Sequence, residues 1–271
     1  PRLGLAGYTV GREFKPLAEA TLSFMPAPAK QPVVGDQERS PFQRHDAVAY
    51  IEVSGALVNK GDWLDALCGL TSYELIRMQL DAAAADPSVR AIMLDIDSGG
   101  GEAAGCFDLA ARIAEVAKEK PVVAALSDVA FSAAYAIASA CSTVFIPQLG
   151  EAGSIGVVSL HVDSSKAIEM EGLNPTLIFS GAHKVDGHGM APLPDKVRAE
   201  WQALVDGTRR AFAQHVATHR GLSVEQVMAT EARCFTAEAA IERGLCDAVA
   251  TRYEVFEALL ADVSGPATAP I

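Results

Sequence analysis

The chain has 271 residues, half of them hydrophobic, with 22 Lys and Arg against 34 Asp and Glu and a formal net charge of −12. That length supports one large domain or two small ones around a substantial core. The negative balance, with no Lys/Arg run to offset it, argues against nucleic acid or an anionic membrane as the principal partner.

In chain order, residues 1–44 mix Pro26, Pro28, Pro32 and Pro41 with Gly and charged residues. They read as an extended arm with one short helix around Pro16–Phe24. From His45 the texture changes. Ala47–Val53 reads as a strand ending at Gly55, and Ser72–Ala85 as a helix stopped by Asp86-Pro87. Val89–Ile96 is expected as a strand, Glu102–Val116 as a helix, Val122–Leu126 as a strand, Ser132–Ala140 as a helix and Thr143–Ile146 as a strand. Ser154–Val162 and Thr176–Phe179 are expected to add two more strands. A long helix over Pro194–Arg220 carries Val197, Trp201, Leu204, Val205, Phe212 and Val216 on one stripe, with Gly221 placed to cap its end. Ser223–Thr230, Thr236–Gly244 and Val255–Ala261 read as shorter helices, the second with Thr236 at its N-cap. Ser264–Ile271 has the composition of a linker. Alternating strands and helices predict an α/β fold with a largely parallel sheet. The expected division is an arm over 1–44, one catalytic-type domain over 45–250, and a C-terminal helix and linker over 251–271.

No apolar stretch approaches the roughly 20 residues that cross a bilayer. The N-terminus lacks the basic and apolar regions of a signal peptide, and the chain begins at Pro1 as a trimmed product would. Cys68, Cys106, Cys141, Cys234 and Cys246 are odd in number and lack Cys-x-x-Cys spacing. They read as reduced, mostly buried thiols of a cytoplasmic protein, and no Cys/His cluster has metal-ligand spacing. Neither metal nor cofactor is expected.

Three segments bear on the chemistry. Leu94-Asp95-Ile96-Asp97-Ser98 runs from a strand into Gly99-Gly100-Gly101, where backbone N–H groups can face a developing negative charge. Phosphate is the rival ligand, but Gly-x-Gly-x-x-Gly and the Gly-Lys-Ser/Thr ending are both absent. Ser132 opens an alanine-rich helix, where a serine is ordinarily an N-cap and otherwise a nucleophile. Lys184 follows about fifty residues later in Ser180-Gly181-Ala182-His183-Lys184. A lysine acts as a base only when neutral, so burial must lower its pKa from about 10.4 to about 7–8. His183 is the competing base, with Asp186 or Asp163 as its carboxylate partner.

Asp97-Ser98-Gly99-Gly100, Ser132-Ala133-Ala134-Tyr135, Gly153-Ser154-Ile155-Gly156-Val157 and Ser180-Gly181-Ala182-His183-Lys184 occur in the order found in the signal-peptide-peptidase A family (S49) of serine peptidases. Phe235–Asp247 is similar to that family's closing segment. The resemblance covers roughly residues 46–250. His183-Lys184-Val185-Asp186-Gly187, Leu193-Pro194-Asp195 and Thr208–Gln214 most resemble its single-domain prohead proteases from lambdoid tailed phages. The resemblance implies a nucleophile at Ser132, a general base at Lys184, oxyanion N–H groups at Gly100 and Ala133, and a lysine-orienting hydroxyl at Ser154. It also implies a crotonase/caseinolytic-protease-like fold of repeated strand-strand-helix turns. The homo-oligomer and the scaffold, portal or capsid protein substrates, with self-cleavage near the tail, come from the same likeness. The chain departs from the family at Gly99, usually proline, and at Ala133-Ala134, commonly Gly-Gly. Three other functions are weighed. A bacterial signal-peptide peptidase would share the chemistry at a membrane. An acyl-CoA hydratase or isomerase would use glutamates such as Glu102 and Glu151. A non-catalytic assembly protein would keep the fold alone.

Overall fold

The computed structural model describes residues 41–61 and 68–264. The expected arm, with its helix around Pro16–Phe24, lies almost wholly outside the described residues, as does most of the expected linker. The described elements, in order, are β1 (Gln43–His45), β2 (Val48–Val58), β3 (Leu70–Ser72), α1 (Tyr73–Ala85), β4 (Ala91–Gly101), α2 (Cys106–Val116), β5 (Val122–Phe131), α3 (Ala133–Ser139), β6 (Thr143–Ile146), β7 (Glu151–Gly153), α4 (Ser165–Met170), α5 (Asp195–Arg220), α6 (Val224–Met228), β8 (Cys234–Thr236), α7 (Ala237–Glu242), β9 (Ala248–Val249) and α8 (Arg252–Ser264). The chain is mixed α/β around one multi-stranded sheet.

The sheet runs β1-β2-β4-β5-β6-β9, with β3 beside β2 and with β7 joining β5 to β8. Pairings among β2, β4, β5, β6 and β9 are parallel, whereas β1 and β8 pair antiparallel. Parallel strands covered on both faces favour apolar residues at nearly every position, which is why Ala91–Leu94 and Val122–Leu126 read as continuous runs. Period-two alternation sorts them. Ile92, Leu94, Ile96, Val122, Ala124 and Leu126 face the main core with α1, α2 and α3. Ala91, Met93, Val123 and Ala125 face α8 through Val255 and Val263. Truncating a fully buried Leu or Ile here costs about 2–5 kcal/mol.

Asp95 shares the α8 face and is 4% exposed. It accepts hydrogen bonds from Tyr50 Oη, Ser127 Oγ and Arg252 Nη1, the last at 3.1 Å. Arg252 opens α8, so one carboxylate fastens β2, β4, β5 and that helix together. A buried carboxylate is tolerable only with this density of donors.

Several expected elements differ. Ser154–Val162 and Thr176–Phe179 have no strand partners among the described residues, and β7 ends at Gly153. Ile155 is buried in the main core, whereas most of their other apolar residues are exposed. β4 and β5 run on through Gly101 and Phe131, because their ends carry the irregular pairing described below. The C-terminal helix starts earlier and ends later than expected, at Arg252 and Ser264. Of the α5 stripe, Val197, Phe212 and Val216 are buried, but Leu204 is 70% exposed because the helix leaves the core at its middle. Gly221 does end α5, at φ 65°, and its N–H donates to Ala217 O. Thr236 occupies the N-cap position without a side-chain capping bond. Cys106, Cys141 and Cys246 are buried, Cys68 and Cys234 are exposed, and all five are free thiols.

Every residue of α3 is buried, and α5 holds it from outside. His215 Nε2 lies 3.0 Å from Ala136 O. A carbonyl only accepts, so Nε2 carries the proton. Burial pulls the His215 pKa down to about 4, helped by His219 and opposed by the Ala136 carbonyl. An unfolded histidine titrates near 6.5. Between those values the unfolded chain binds a proton that the folded chain refuses, so stability is lost as pH falls through that window. Equilibrium urea unfolding should show a loss of about 2 kcal/mol between about pH 7 and pH 4.5 from this group, and His215→Gln should lose less over the same range.

Candidate active site

The site lies where the parallel ladders break. The β2–β4 register slips between Ser54 and Ala56, and the β4–β5 register between Ile96 and Ser98. Such irregularities turn backbone groups out of the sheet. Ser132 stands one residue past β5 and one before α3, at φ 52°, ψ −122°. Glycine takes that conformation readily, but a residue with a Cβ is held there at a cost of about 1–3 kcal/mol. An N-cap has an extended backbone and a side chain bonded to the first turn. Ser132 has neither. Its backbone is fixed instead by its N–H to Gly153 O at 3.0 Å and by Ala136 N–H to its own carbonyl at 3.0 Å. A strand-to-helix turn of this kind projects a serine hydroxyl away from the backbone. Among the described residues the Ser132 Oγ has no hydrogen-bond partner, and Ala133, first in the helix, has an N–H with no intrahelical acceptor.

Gly100 packs directly against this turn. It sits at φ +99°, and a Cβ there would lie 2.7 Å from Ser132 Cβ, 2.8 Å from Phe131 O and 3.1 Å from Ala133 N. Its N–H donates to Ser98 Oγ at 3.1 Å, and Ser98 Oγ donates to Gly55 O at 2.6 Å. Ser154 follows Gly153, the register partner of Phe131, so the two serines follow the paired ends of neighbouring strands. Ser154 is also at positive φ, 53°, and its N–H donates to Arg233 O at 2.9 Å. Glu231 and Ala232, both left-handed, precede that carbonyl. Ser132, Gly100, Ala133 and Ser154 are thus brought together.

Lys184 is not brought to them within this chain. It is exposed in the turn over residues 181–187, where its backbone N–H donates to Gly181 O at 3.1 Å. That turn is anchored to the start of α5, because Gly187 packs so closely on Trp201 that a Cβ would lie 2.1 Å from its ring. His161 Nε2 to His188 O at 3.1 Å and Ser164 N–H to Gly189 O at 2.8 Å hold the other side. His183 Nδ1 meets Asp186 Oδ2 at 2.7 Å, inside the same exposed turn. Asp163 accepts from Ser165 N–H at 2.9 Å and takes no part.

Past the buried Ile155, the segment leading to this turn leaves several apolar residues uncovered. Val158, Leu160 and Ile178 are 90%, 65% and 96% exposed. A run of such residues exceeds the isolated apolar exposure usual for a monomer surface.

Rival chemistry is weaker. Cys106, beneath Ala133, has its thiol pushed up to about 12 by burial. Its thiolate is therefore only on the order of one part in 10⁵ at neutral pH. Glu102 accepts Asn59 N–H at 2.8 Å, while Glu151 lies on β7 opposite Thr236, so the two glutamates do not converge. Ligand atoms of His183, Asp186 and Glu200 lie within 4.8 Å of one another. This surface cluster already has protein partners, with Glu200 3.8 Å from Lys196. No role was expected for Ser98, although it stands before three glycines and within the Asp97-Ser98-Gly99-Gly100 motif.

The sequence pattern of Peptidase family S49 matches residues 114–264. The head-tail preconnector protein GP5 of Enterobacteria phage P21 is 44% identical over 202 residues, 74% of this chain and 40% of that protein. The capsid assembly protease C of Escherichia phage lambda is 42% identical over 213 residues, 79% of this chain and 48% of that protein. The chloroplastic serine protease SPPA of Arabidopsis thaliana is 28% identical over 207 residues, 75% of this chain and 30% of that protein. The chain therefore spans less than half the length of these relatives.

The packing around Gly100 separates neighbouring glycines. Gly99 has nothing within 4 Å of a built Cβ, whereas Gly100 has three backbone or Ser132 atoms within 3.1 Å. Gly100→Ala should cost about 1–3 kcal/mol and displace Ser132. Gly99→Ala should stay within about 1 kcal/mol of the parent. Chemical unfolding of the two variants checks both.

Proposed function

This chain belongs to Peptidase family S49, and on that premise we propose that it is the serine endopeptidase part of a phage head-maturation protease. The observation that carries this is the Ser132 turn, a non-glycine residue held at φ 52° with its hydroxyl unbonded beside glycine backbone. Ser132 Oγ adds to the scissile carbonyl carbon as its proton passes to the neutral amine of Lys184. The N–H groups of Gly100 and Ala133 hold the oxyanion. Collapse expels the amine, which takes the proton from Lys184. Water, deprotonated by the same amine, then releases the acyl group. Ser154 orients the lysine amine. The assigned domain is residues 45–250, with the arm and the C-terminal helix as attachments, and its fold is of the crotonase/caseinolytic-protease type.

Lys184 supplies the condition on this chemistry. A lysine serves as a general base once it is withdrawn from solvent. The exposed apolar residues Val158, Leu160 and Ile178 give a second copy of the chain a surface to bury. Assembly then covers the lysine and completes the dyad, so the enzyme works as a homo-oligomer. The substrates are scaffold, portal or capsid proteins, and the chain itself. The names of the phage relatives support that choice, as does the absence among the described residues of any helix long and apolar enough to cross a membrane.

Co-expression with neighbouring portal and capsid proteins, followed by mass-spectrometric mapping of new termini, tests this. New termini should appear with the parent chain and be absent with Ser132→Ala and with Lys184→Ala. Identical termini in all three would remove the catalytic assignment and favour an assembly role.

A further inference from the structure

We propose that Ser98 is a positioning residue for the oxyanion loop, a placeholder acceptor that keeps the Gly100 N–H beside Ser132 until an oxyanion takes it. This rests on the reading of Ser132 as nucleophile and of Gly100 as an oxyanion donor. Ser98 is 2% exposed, the most deeply buried side chain between Asp97 and Glu102. Residues 99–101 are all glycine, so no side chain within the turn can fix its shape, and glycine has the most conformational freedom to lose. The β2–β4 register passes over Gly55, leaving a gap where a ladder hydrogen bond would be. The Ser98 hydroxyl fills it. Oγ accepts from Gly100 N–H at 3.1 Å and donates to Gly55 O at 2.6 Å. One side chain therefore ties the loop to β2 at the level where Gly100 touches Ser132 and Ala133.

The same bond solves a second difficulty. Gly100 is buried, and a buried N–H left empty between turnovers is costly. Without Ser98 the loop would turn to find another acceptor and withdraw its donor from Ser132. A neutral hydroxyl is a suitable resting partner because it is outcompeted. Hydrogen bonds to an ionised oxygen are about twice as strong as neutral ones. When the oxyanion forms, Ser98 yields the N–H but keeps its bond to Gly55 O, so the anchor persists through the transition state.

The test compares the parent chain with Ser98→Ala and with Ser98→Cys, which keeps the volume but is a poor acceptor. Three quantities are measured: cleavage of fluorescein-labelled casein, affinity for the tripeptidyl aldehyde Z-Leu-Leu-Leu-al, and affinity for the corresponding alcohol Z-Leu-Leu-leucinol. The aldehyde is attacked by Ser132 Oγ. Its carbonyl oxygen becomes the oxyanion, and the displaced proton passes to Lys184. The alcohol occupies the same cleft but is neutral and forms no oxyanion. Both variants should lose about 10- to 100-fold in kcat/KM and in aldehyde affinity together, with alcohol affinity unchanged. Full aldehyde affinity in both variants would overturn the proposal. So would a parallel loss of alcohol affinity, the mark of general misfolding. Ser132→Ala run alongside keeps the two claims apart. If it cleaves casein like the parent, the nucleophile assignment itself has failed. If it is inactive while Ser98→Ala is not, only the role of Ser98 has.

Discussion

A serine with a Cβ does not rest at φ 52°, ψ −122° unless its surroundings leave it no alternative. Here the constraint comes from three sides. The Gly153 carbonyl takes the Ser132 N–H, the first turn of α3 takes its carbonyl, and Gly100 leaves no room for the turn to relax toward β4. About 1–3 kcal/mol of local strain is small against the burial behind it, where α3 is wholly enclosed between the sheet, α2 and α5. The parallel core thus acts as a clamp, and the distorted ends of β4, β5 and β7 are where it is applied. The Asp95 network does the same work on the other face, tying α8 to the strands whose far ends form the site.

The lysine arm follows a different logic. Beyond Ile155, itself buried, the chain leaves the core, keeps Val158, Leu160 and Ile178 in solvent, and packs Gly187 against Trp201. The turn that carries Ser132 is set by the interior of one chain, whereas the turn that carries Lys184 lies on a surface that one chain leaves open. On the proposed reading, close packing of copies is what would cover that lysine.

Much of this was legible in the sequence for a specific reason. Strands buried on both faces announce themselves as apolar runs, so Thr143–Ile146 was placed to the residue and Val122 was placed as the start of β5, although β5 runs five residues past the expected end at Leu126. Helix α1 was equally plain, since Ser72 caps it through Leu75 N–H at 3.2 Å and Asp86-Pro87 ends it. The failures share one cause. Val157-Val158-Ser159-Leu160 has strand composition, but a strand needs a partner, and periodicity alone does not reveal whether one is present. Gly99-Gly100-Gly101 and Ser132 were recognisable as a site by their order along the chain. The role of Ser98 was not, because its two hydrogen bonds depend on a register slip at Ser54/Ala56 that composition does not encode.

Active-site labelling tests whether Ser132 is a nucleophile activated by Lys184. The chain would be treated with a fluorophosphonate probe across a concentration series and the adduct located by peptide mass spectrometry. A single adduct on Ser132 is expected, with loss of fluoride, increasing as the chain assembles and abolished in Lys184→Ala. An adduct elsewhere, or labelling of Ser132 that is indifferent both to Lys184 and to assembly, would overturn that assignment.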